Sequence, residues 1–433
     1  MPNLNIMSHN ILNELPHLVK ANVISEETSQ KIKEHYSNIG NKNINKLFLI
    51  FGILGAILSG LGLILILAHN WDDFSNVTKS FLSFLPLIIG QILCGFSILK
   101  KSDNPIWKES SSVFLFFAIG ASISLIAQVY NIPGDLNSFI VTWMLLALPL
   151  VYLLRTSIVS LLYIMGITYY CYNSNYFTYQ KEQTYFFWLL FLGIIPHYYQ
   201  LLTTKPQSNF TLFHNWFVAT SLMISLGSIG EENEKLLYLC YICLFAIYYS
   251  IGKNSFFEKQ KFKFNSFQII GKAGTLIILL MYTFKSFWKY FHKNKLHENA
   301  LLTSPEFIIA SILVIIAAIL FYKKNNQTNF KDFAIIEIIF LLNIPLLFMG
   351  EFAAIIANGI VLAIGVLEIK RGNQLNDLRI LNLGLLIITI LITCRFFDTD
   401  FSFIVRGILF IVLGLGFFLT NYLMLKKRNR NEK

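Results

Sequence analysis

Long apolar segments alternate with short polar ones along nearly the whole chain after residue 45. A helix that crosses a bilayer needs about 20 mostly apolar residues. About fourteen segments approach that length: 47–68, 80–99, 112–130, 138–154, 157–172, 185–202, 210–229, 236–252, 267–287, 306–322, 332–348, 351–369, 379–395 and 401–424. The pattern predicts an all-α, polytopic integral membrane protein with about fourteen transmembrane helices, or about twelve if the shortest segments are re-entrant or tilted.

The first 45 residues follow a different pattern, in which apolar positions recur at helical spacing among polar ones. The stretch "ILNELPHLVKANVISEETSQKIKEHYSNIG" predicts two short amphipathic helices with a turn at Asn22. Ser25 is a good N-cap for the second helix, and Glu26 and Glu27 lie in its first turn. Gly40 is a typical residue for the end of that helix. The pattern therefore predicts a small helical hairpin.

The same pattern divides the chain into three parts. We expect a cytosolic helical hairpin over 1–45, a transmembrane domain over 46–425 and a basic cytosolic tail over 426–433. The apolar face of the hairpin needs cover. We expect it to pack on itself, to pack on the inner face of the membrane domain, or to bind a partner.

Composition supports a lipid environment. Of the 433 residues, 55% are hydrophobic and 14% are charged, whereas soluble domains average about 25% charged residues. The formal net charge is +11, and the basic residues lie in short runs between apolar segments. This distribution is typical of the positive-inside rule, so we predict no nucleic-acid partner.

Loop charges predict that both termini are cytoplasmic. The tail "KKRNRNEK" is basic, and the other basic loop residues then fall on the cytoplasmic side: Lys100, Lys101, Lys108, Arg155, Lys205, Lys253, Lys259, Lys261, Lys263, Lys323, Lys324, Lys331, Lys370 and Arg371. The outer loops, such as "HNWDDFSNV" and "NIPGDLN", are neutral or acidic. One basic loop, "KYFHKNKLHEN" from Lys289 to Asn299, breaks the rule because it falls outside.

Several strings in the chain resemble those of a known family. "VISEE" is followed by "GLGLILILAHNWDD", "AIGASISLIAQVYNIPGD" and "WMLLALPLVYLLRT", and these motifs cover roughly residues 10–156. "LNLGLLIITILITCRFFDTDFSFIVRGILFIVLGLGF", within 337–424, is similar to the end of longer family members. The chain resembles the bacterial membrane proteins known as domain of unknown function twenty-one fifty-seven. The resemblance implies a multi-pass protein of the bacterial inner membrane and implies no activity.

Polar residues converge at the predicted outer ends of five separate segments. An ionisable group at the bilayer centre costs about 2.5–3.5 kcal/mol on insertion scales, so each one needs a reason. We hypothesise that Glu351 pairs with Arg406 or Arg395, because paired charges offset part of their desolvation cost. The hypothesis extends this pair to a polar cavity open to the outside, formed by Asn70, Asp72, Gln128, Asp135, Glu351, Arg395 and Arg406.

Several residues at these outer ends also have a simpler interpretation. Trp71 is expected to be an anchor in the aromatic belt at the membrane surface. Asp72 and Asp73 suit a solvated acidic loop. Gln128 suits a hydrogen bond between helices, and Arg406 is long enough to reach the outer headgroups.

The sequence carries none of the common enzyme motifs, such as a P-loop, H-E-x-x-H or G-x-S-x-G. The five cysteines lie in or beside apolar segments, and Cys240-Tyr241-Ile242-Cys243 has no second pair at zinc spacing. His197 and His214 flank one cytoplasmic turn but lack a carboxylate partner there. We therefore predict no metal and no cofactor.

Three classes of function remain open. A transporter or carrier would use the outer polar cavity. A membrane-embedded enzyme acting on lipid-linked or envelope substrates would use Asp72, Asp73 or Asp135. A scaffold would sense a lipid or a partner through the membrane domain and the hairpin. Membrane lipids, with a small-molecule or lipid ligand, are the expected partners.

Overall fold

The computed structural model describes residues 15–16, 18–21, 23–69, 74–176, 185–229, 234–254, 257, 265–293, 304–325, 345–346 and 349–398, with isolated positions between 404 and 422. No strand occurs among these residues. The helices that they form are α1 (Glu26–His69), α2 (Asn76–Lys100), α3 (Pro105–Val129), α4 (Leu136–Leu154), α5 (Ser157–Tyr176), α6 (Tyr185–Thr204), α7 (Asn209–Gly227), α8 (Glu234–Gly252), α9 (Ser266–Tyr282), α10 (Lys285–Lys293), α11 (Pro305–Asn325), α12 (Phe352–Leu375) and α13 (Leu378–Asp398).

Eight helical segments within the described ranges are long and apolar enough to cross a membrane: Asn76–Lys100, Pro105–Val129, Leu136–Leu154, Phe186–Thr204, Glu234–Gly252, Pro305–Tyr322, Phe352–Leu375 and Leu378–Phe396. Ile50–Gly62 and Ser266–Tyr282 are shorter apolar helices. The all-helical, multi-pass class is thus confirmed, and the count of about fourteen is not. The predicted segments at 332–348 and 401–424 fall largely outside the described residues.

The predicted end of the second N-terminal helix at Gly40 is wrong. Helix α1 begins at Glu26, after Ser25 as predicted, and runs without a break to His69. One glycine in a helix interior costs only about 1 kcal/mol relative to alanine, and the apolar segment that follows continues the same helix. The boundary predicted at residue 45 therefore lies inside α1, and the N-terminal hairpin is not confirmed.

The predicted segment 267–287 also divides into two helices. Helix α9 ends at Tyr282, where Thr283 is the C-cap, and α10 starts at Lys285. No glycine or proline marks this turn in the sequence. The Thr283 hydroxyl donates to the Leu280 carbonyl at 2.6 Å and so satisfies one of the last acceptors of α9.

The chain forms two compact units. The first unit comprises Met1–Ser174 with Tyr185–Lys205, and the second comprises Asn175–Thr184 with Pro206–Lys433. In the first, the buried face of α2 consists of Ser83, Pro86, Gly90, Cys94 and Ser97. Small side chains let this helix approach α3 closely: a Cβ on Gly90 would lie 3.1 Å from the Leu115 Cα atom.

The second unit contains a close antiparallel pair of its own, α12 and α13. A Cβ on Gly384 would lie 2.6 Å from the Gly365 carbonyl oxygen and 2.7 Å from the Ile369 backbone nitrogen. Asn376, with φ of 52°, forms the turn between the two helices. Helix α9 packs against this pair through a core of Leu279, Val361, Ile364, Ile387 and Leu391.

Candidate functional site

Two of the predicted site residues, Gln128 and Asp135, lie at one end of the first unit. Gln128 is in the last turn of α3, and its side chain is exposed. Asp135 is the N-cap of α4, where its Oδ1 atom accepts the Ser138 backbone N–H at 2.6 Å. This bond, with a second one from the Ser138 side chain, holds the pKa of Asp135 below its usual value. Asp135 thus stabilises a helix end.

Two other predicted residues, Glu351 and Arg395, belong to the second unit. Glu351 is exposed, precedes α12 and makes no side-chain capping bond. Arg395 donates from Nη2 to the Thr283 hydroxyl at 3.1 Å, and its guanidinium carbon lies 4.8 Å from the centre of the Phe284 ring. No ion pair joins Glu351 to Arg395 in the described contacts. The alternative pair with Arg406 stays a prediction.

The remaining candidates fall outside the described residues: Asn70, Trp71, Asp72 and Arg406. The described candidates are divided between the two units, with Gln128 and Asp135 in one and Glu351 and Arg395 in the other. The outward-facing polar cavity therefore stays a prediction.

Arg395 belongs to a polar cluster that we call the Thr283 cluster: Thr283, Phe284, Asn358 and Arg395. Asn358 donates from Nδ2 to the Thr283 carbonyl at 3.1 Å and to the Ala354 carbonyl at 2.7 Å. The cation of Arg395 lies at the C-terminal end of α9, where it interacts favourably with the helix dipole. The cluster therefore holds the end of α9 against α12 and α13. The sequence predicts a carboxylate partner for Arg395 and does not mark Thr283, whose hydroxyl accepts from the guanidinium.

Glu109, which no sequence motif marks, is a buried carboxylate in the first turns of α3. Its side chain is only 6% exposed. Oε1 accepts the Ser157 backbone N–H at 2.8 Å, and Oε2 accepts the Ile158 backbone N–H at 2.9 Å. These are orphan donors of the first turn of α5, and Lys205 at the end of α6 is close enough to interact electrostatically. Glu109 therefore ties three helices of the first unit together.

The start of α5 explains why Glu109 makes these hydrogen bonds. Thr156 stands where a threonine would usually cap the helix. Its hydroxyl oxygen is buried and has no hydrogen-bond partner among the described residues. The carboxylate of Glu109, which lies 48 residues before Ser157, takes the role instead. The sequence does contain a hint of this contact. Glu109 is a carboxylate next to an apolar segment, where a charge needs a partner. The start of α5 at Ser157, just after the preceding apolar segment, offers backbone N–H groups as that partner.

A groove of about 660 Å³ lies on the first unit between α2, α3 and α4. Of the fourteen described residues that line it, twelve are apolar: Phe84, Leu87, Leu115, Ile119, Ile123, Ile126, Ala127, Ile132, Leu146, Pro149, Leu150 and Leu153. The two polar ones are Gln91 and Ser122. The Ser122 hydroxyl donates to the Ser83 carbonyl at 2.7 Å, so the amide of Gln91 is the polar side chain that remains for a ligand.

The groove is open on one side. Leu146 and Leu153 line it and yet are 54% and 68% exposed. All three of its helices are candidate membrane spans, so its open side faces lipid tails when they cross a bilayer. Along α3 the lining extends from Leu115 to Ala127, a length of about 18 Å at 1.5 Å per residue. This is slightly more than half of a hydrocarbon core of about 30 Å.

The described part of the chain contains no candidate metal site. The described residues contain no group of three or more His, Cys, Asp or Glu side chains that could hold a metal ion. His197 belongs to the first unit and packs edge-on against the Tyr152 ring. His214 belongs to the second unit, where its Nδ1 atom lies 2.7 Å from the Phe210 carbonyl oxygen.

Comparison with known proteins gives a match for part of the chain. No curated protein and no solved structure matches it. The resemblance proposed for the C-terminal part stays a prediction. Residues 16–160, which include α2, α3 and α4 and hence the groove, match the model of a family described as "Predicted membrane protein (DUF2157)", as the N-terminal motifs had indicated.

Proposed function

We propose that this chain is a lipid-binding membrane protein that holds one acyl chain in the groove between α2, α3 and α4. The observation that carries the proposal is the lateral opening of an apolar groove on helices long enough to cross a membrane. A volume of about 660 Å³ lies within the usual range for ligand sites, about 300–1,000 Å³. The occupant is the chain of a membrane phospholipid.

The shape of the groove supports this occupant over a water-soluble one. A polar substrate would leave its hydrogen-bonding groups without partners against the apolar walls, which is costly. An acyl chain has no hydrogen-bonding groups that need partners. It extends along one leaflet for about half the thickness of the hydrocarbon core.

Among the three function classes, the groove favours a scaffold that binds a lipid. In the enzyme hypothesis Asp135 was a base, yet its carboxylate caps α4. The carrier hypothesis rests on the outer polar cavity, of which Asn70, Asp72 and Arg406 lie outside the described residues, and it stays a prediction. We further propose a location in the bacterial inner membrane with both termini in the cytoplasm, which the basic tail and the loop lysines support.

Photocrosslinking in membranes tests the proposed groove. The full chain is reconstituted with phosphatidylglycerol that carries a diazirine in the middle of one acyl chain, and the labelled peptides are mapped by mass spectrometry. We expect labelling to concentrate on the groove residues Ile123 and Leu146. The larger side chain in Leu146→Trp obstructs part of the groove and is expected to reduce the labelling of Ile123 at least threefold.

Leu189→Trp is the matched control, because Leu189 is 60% exposed on α6 of the same unit and does not line the groove. We expect its labelling pattern to equal that of the wild type. If labelling spreads evenly over all exposed apolar residues, or if Leu146→Trp leaves the groove labelling unchanged, the proposal is wrong.

A further inference from the structure

Helix α10, in the second unit, is short and strongly two-sided. Its sequence is "KSFWKYFHK". Trp288 is 1% exposed and donates its indole N–H to the Tyr282 carbonyl at 2.8 Å. The Phe287 ring lies 5.2 Å from the Tyr238 ring and 5.4 Å from the Tyr282 ring. The aromatic face of α10 is therefore anchored in the unit.

The opposite face of α10 is positively charged. Lys285 and Lys289 are exposed and lie four residues apart, so they project from the same side of the helix. Like charges at this spacing repel each other. No carboxylate pairs with either lysine among the described residues, including Glu234, one turn before Tyr238 on α8. Two adjacent cations on a rigid support are complementary to an anionic surface.

The position of α10 identifies that surface. It follows α9 directly, at the end that Asn358 and Arg395 hold through Thr283. Its aromatic contacts reach the first turn or two of α8, which is a candidate membrane span. Because the aromatic face of α10 packs on the protein at the end of a span, its exposed lysines are at the level where phospholipid headgroups lie when α8 crosses a bilayer.

We propose that α10 is an interfacial helix whose Lys285 and Lys289 bind the phosphate groups of anionic phospholipids. The loop charges predict that this side is the outer one, where "KYFHKNKLHEN" broke the positive-inside pattern. An interfacial helix accounts for that exception, since its lysines contact headgroups directly. This headgroup site lies in the second unit and does not depend on the acyl-chain groove of the first.

Native mass spectrometry of the full chain, titrated in uncharged detergent, tests the headgroup site. The probes are dioleoyl phosphatidylglycerol, dioleoyl phosphatidylcholine and inorganic phosphate. We expect phosphatidylglycerol to bind more tightly than phosphatidylcholine. Each lysine near an anionic surface is worth roughly a fivefold change in affinity. The double variant K285Q/K289Q should therefore lose this preference by at least tenfold, whereas K285R/K289R retains it.

K100Q/K101Q is the matched control, because Lys100 and Lys101 are an exposed pair at the end of α2 in the other unit. It should keep the full preference for phosphatidylglycerol. The proposal is overturned if K285Q/K289Q keeps it too. It is also overturned if inorganic phosphate displaces phosphatidylglycerol at equal concentration, because the site is then one for a free anion. Loss of groove labelling in Leu146→Trp leaves this result unaffected, so the two proposals fail separately.

Discussion

The carboxylate of Glu109 lies 2.8 Å from the backbone nitrogen of Ser157, and this contact caps α5 with a residue from α3. The cap is buried and joins two helices that are far apart in sequence. Glu109 therefore contributes to the packing of the first unit as well as to the local stability of α5.

Replacing Glu109 with glutamine is expected to lower the free energy of unfolding by about 1.5–3 kcal/mol, the usual range for a hydrogen bond to a charged group. Glutamine offers one acceptor oxygen where the carboxylate offers two, so either Ser157 or Ile158 loses its partner. Thermal unfolding in detergent, followed by circular dichroism, measures the change. Asp103→Asn removes an exposed carboxylate six residues earlier and should leave the midpoint unchanged. Equal midpoints for E109Q and D103N would contradict the capping role.

Gly384 on α13 is expected not to tolerate alanine. The new Cβ would lie 2.6 Å from the Gly365 carbonyl oxygen, so α12 and α13 must separate. Overpacking of this kind usually costs about 1–3 kcal/mol, and the unfolding midpoint of Gly384→Ala measures it. Gly359→Ala on α12 has open space around its Cβ and gains helix propensity, so its midpoint should stay or rise. A stable Gly384→Ala would mean that the helices are less close than described.

Arg395→Lys is expected to destabilise the second unit by about 1 kcal/mol, although the charge is kept. A lysine does not lie flat on the Phe284 ring while donating to Thr283, so it loses part of the cation–π energy. The midpoint of thermal unfolding tests this. Arg379→Lys, on an exposed position at the start of the same helix, is the control and should be neutral. If Arg395→Lys and Arg379→Lys have the same midpoint of thermal unfolding, the stability of the Thr283 cluster does not depend on the guanidinium.

Asp135 gives a prediction about pH. Its pKa is lower in the folded protein than its usual value of 3.8, because the Ser138 backbone N–H bonds to the carboxylate. The ionised cap therefore stabilises the fold above the unfolded pKa, and this contribution is lost as the pH falls through the folded pKa. Asp135→Ala should cost about 1 kcal/mol at neutral pH, and its difference from wild type should shrink below about pH 4.

Asp135→Asn is the control for the titration, since asparagine also caps helices but does not ionise in this range. Unfolding midpoints are measured from neutral to acidic pH. At neutral pH the midpoint of Asp135→Asn should be close to that of the wild type. On acidification the midpoint of Asp135→Asn should fall less than that of the wild type. A parallel fall in all three proteins would show that other carboxylates dominate the acid response.

The sequence predicted elements well where polarity changes sharply. The break at Arg155-Thr156 between α4 and α5 follows from the lengths of the two apolar segments. The start of α1 after Ser25 follows from a capping residue. It failed at Gly40, because one glycine in a helix interior costs only about 1 kcal/mol and the apolar segment that starts near residue 47 continues the same helix. It also failed at Thr283-Phe284, because the turn depends on Asn358 and Arg395, which come much later in the chain.

The candidate sites were harder to predict, for a physical reason. A charged residue in an apolar segment suggests an ion pair with another charged residue. Glu109 and Arg395 instead bind backbone N–H groups, a hydroxyl and an aromatic ring, which a sequence does not mark. Gln91 was missed because its surroundings form a groove only when three helices meet.

Helix α1 has a mechanical consequence. Its 44 residues extend about 66 Å at 1.5 Å per residue, roughly twice the thickness of a hydrocarbon core of about 30 Å. Since no turn interrupts it, the polar half and the apolar half form a single stiff rod. A force or a binding event at residues 26–46 would be transmitted as a tilt of the whole rod, and thus felt by α3, on which its apolar half packs through Gly52 and Gly60.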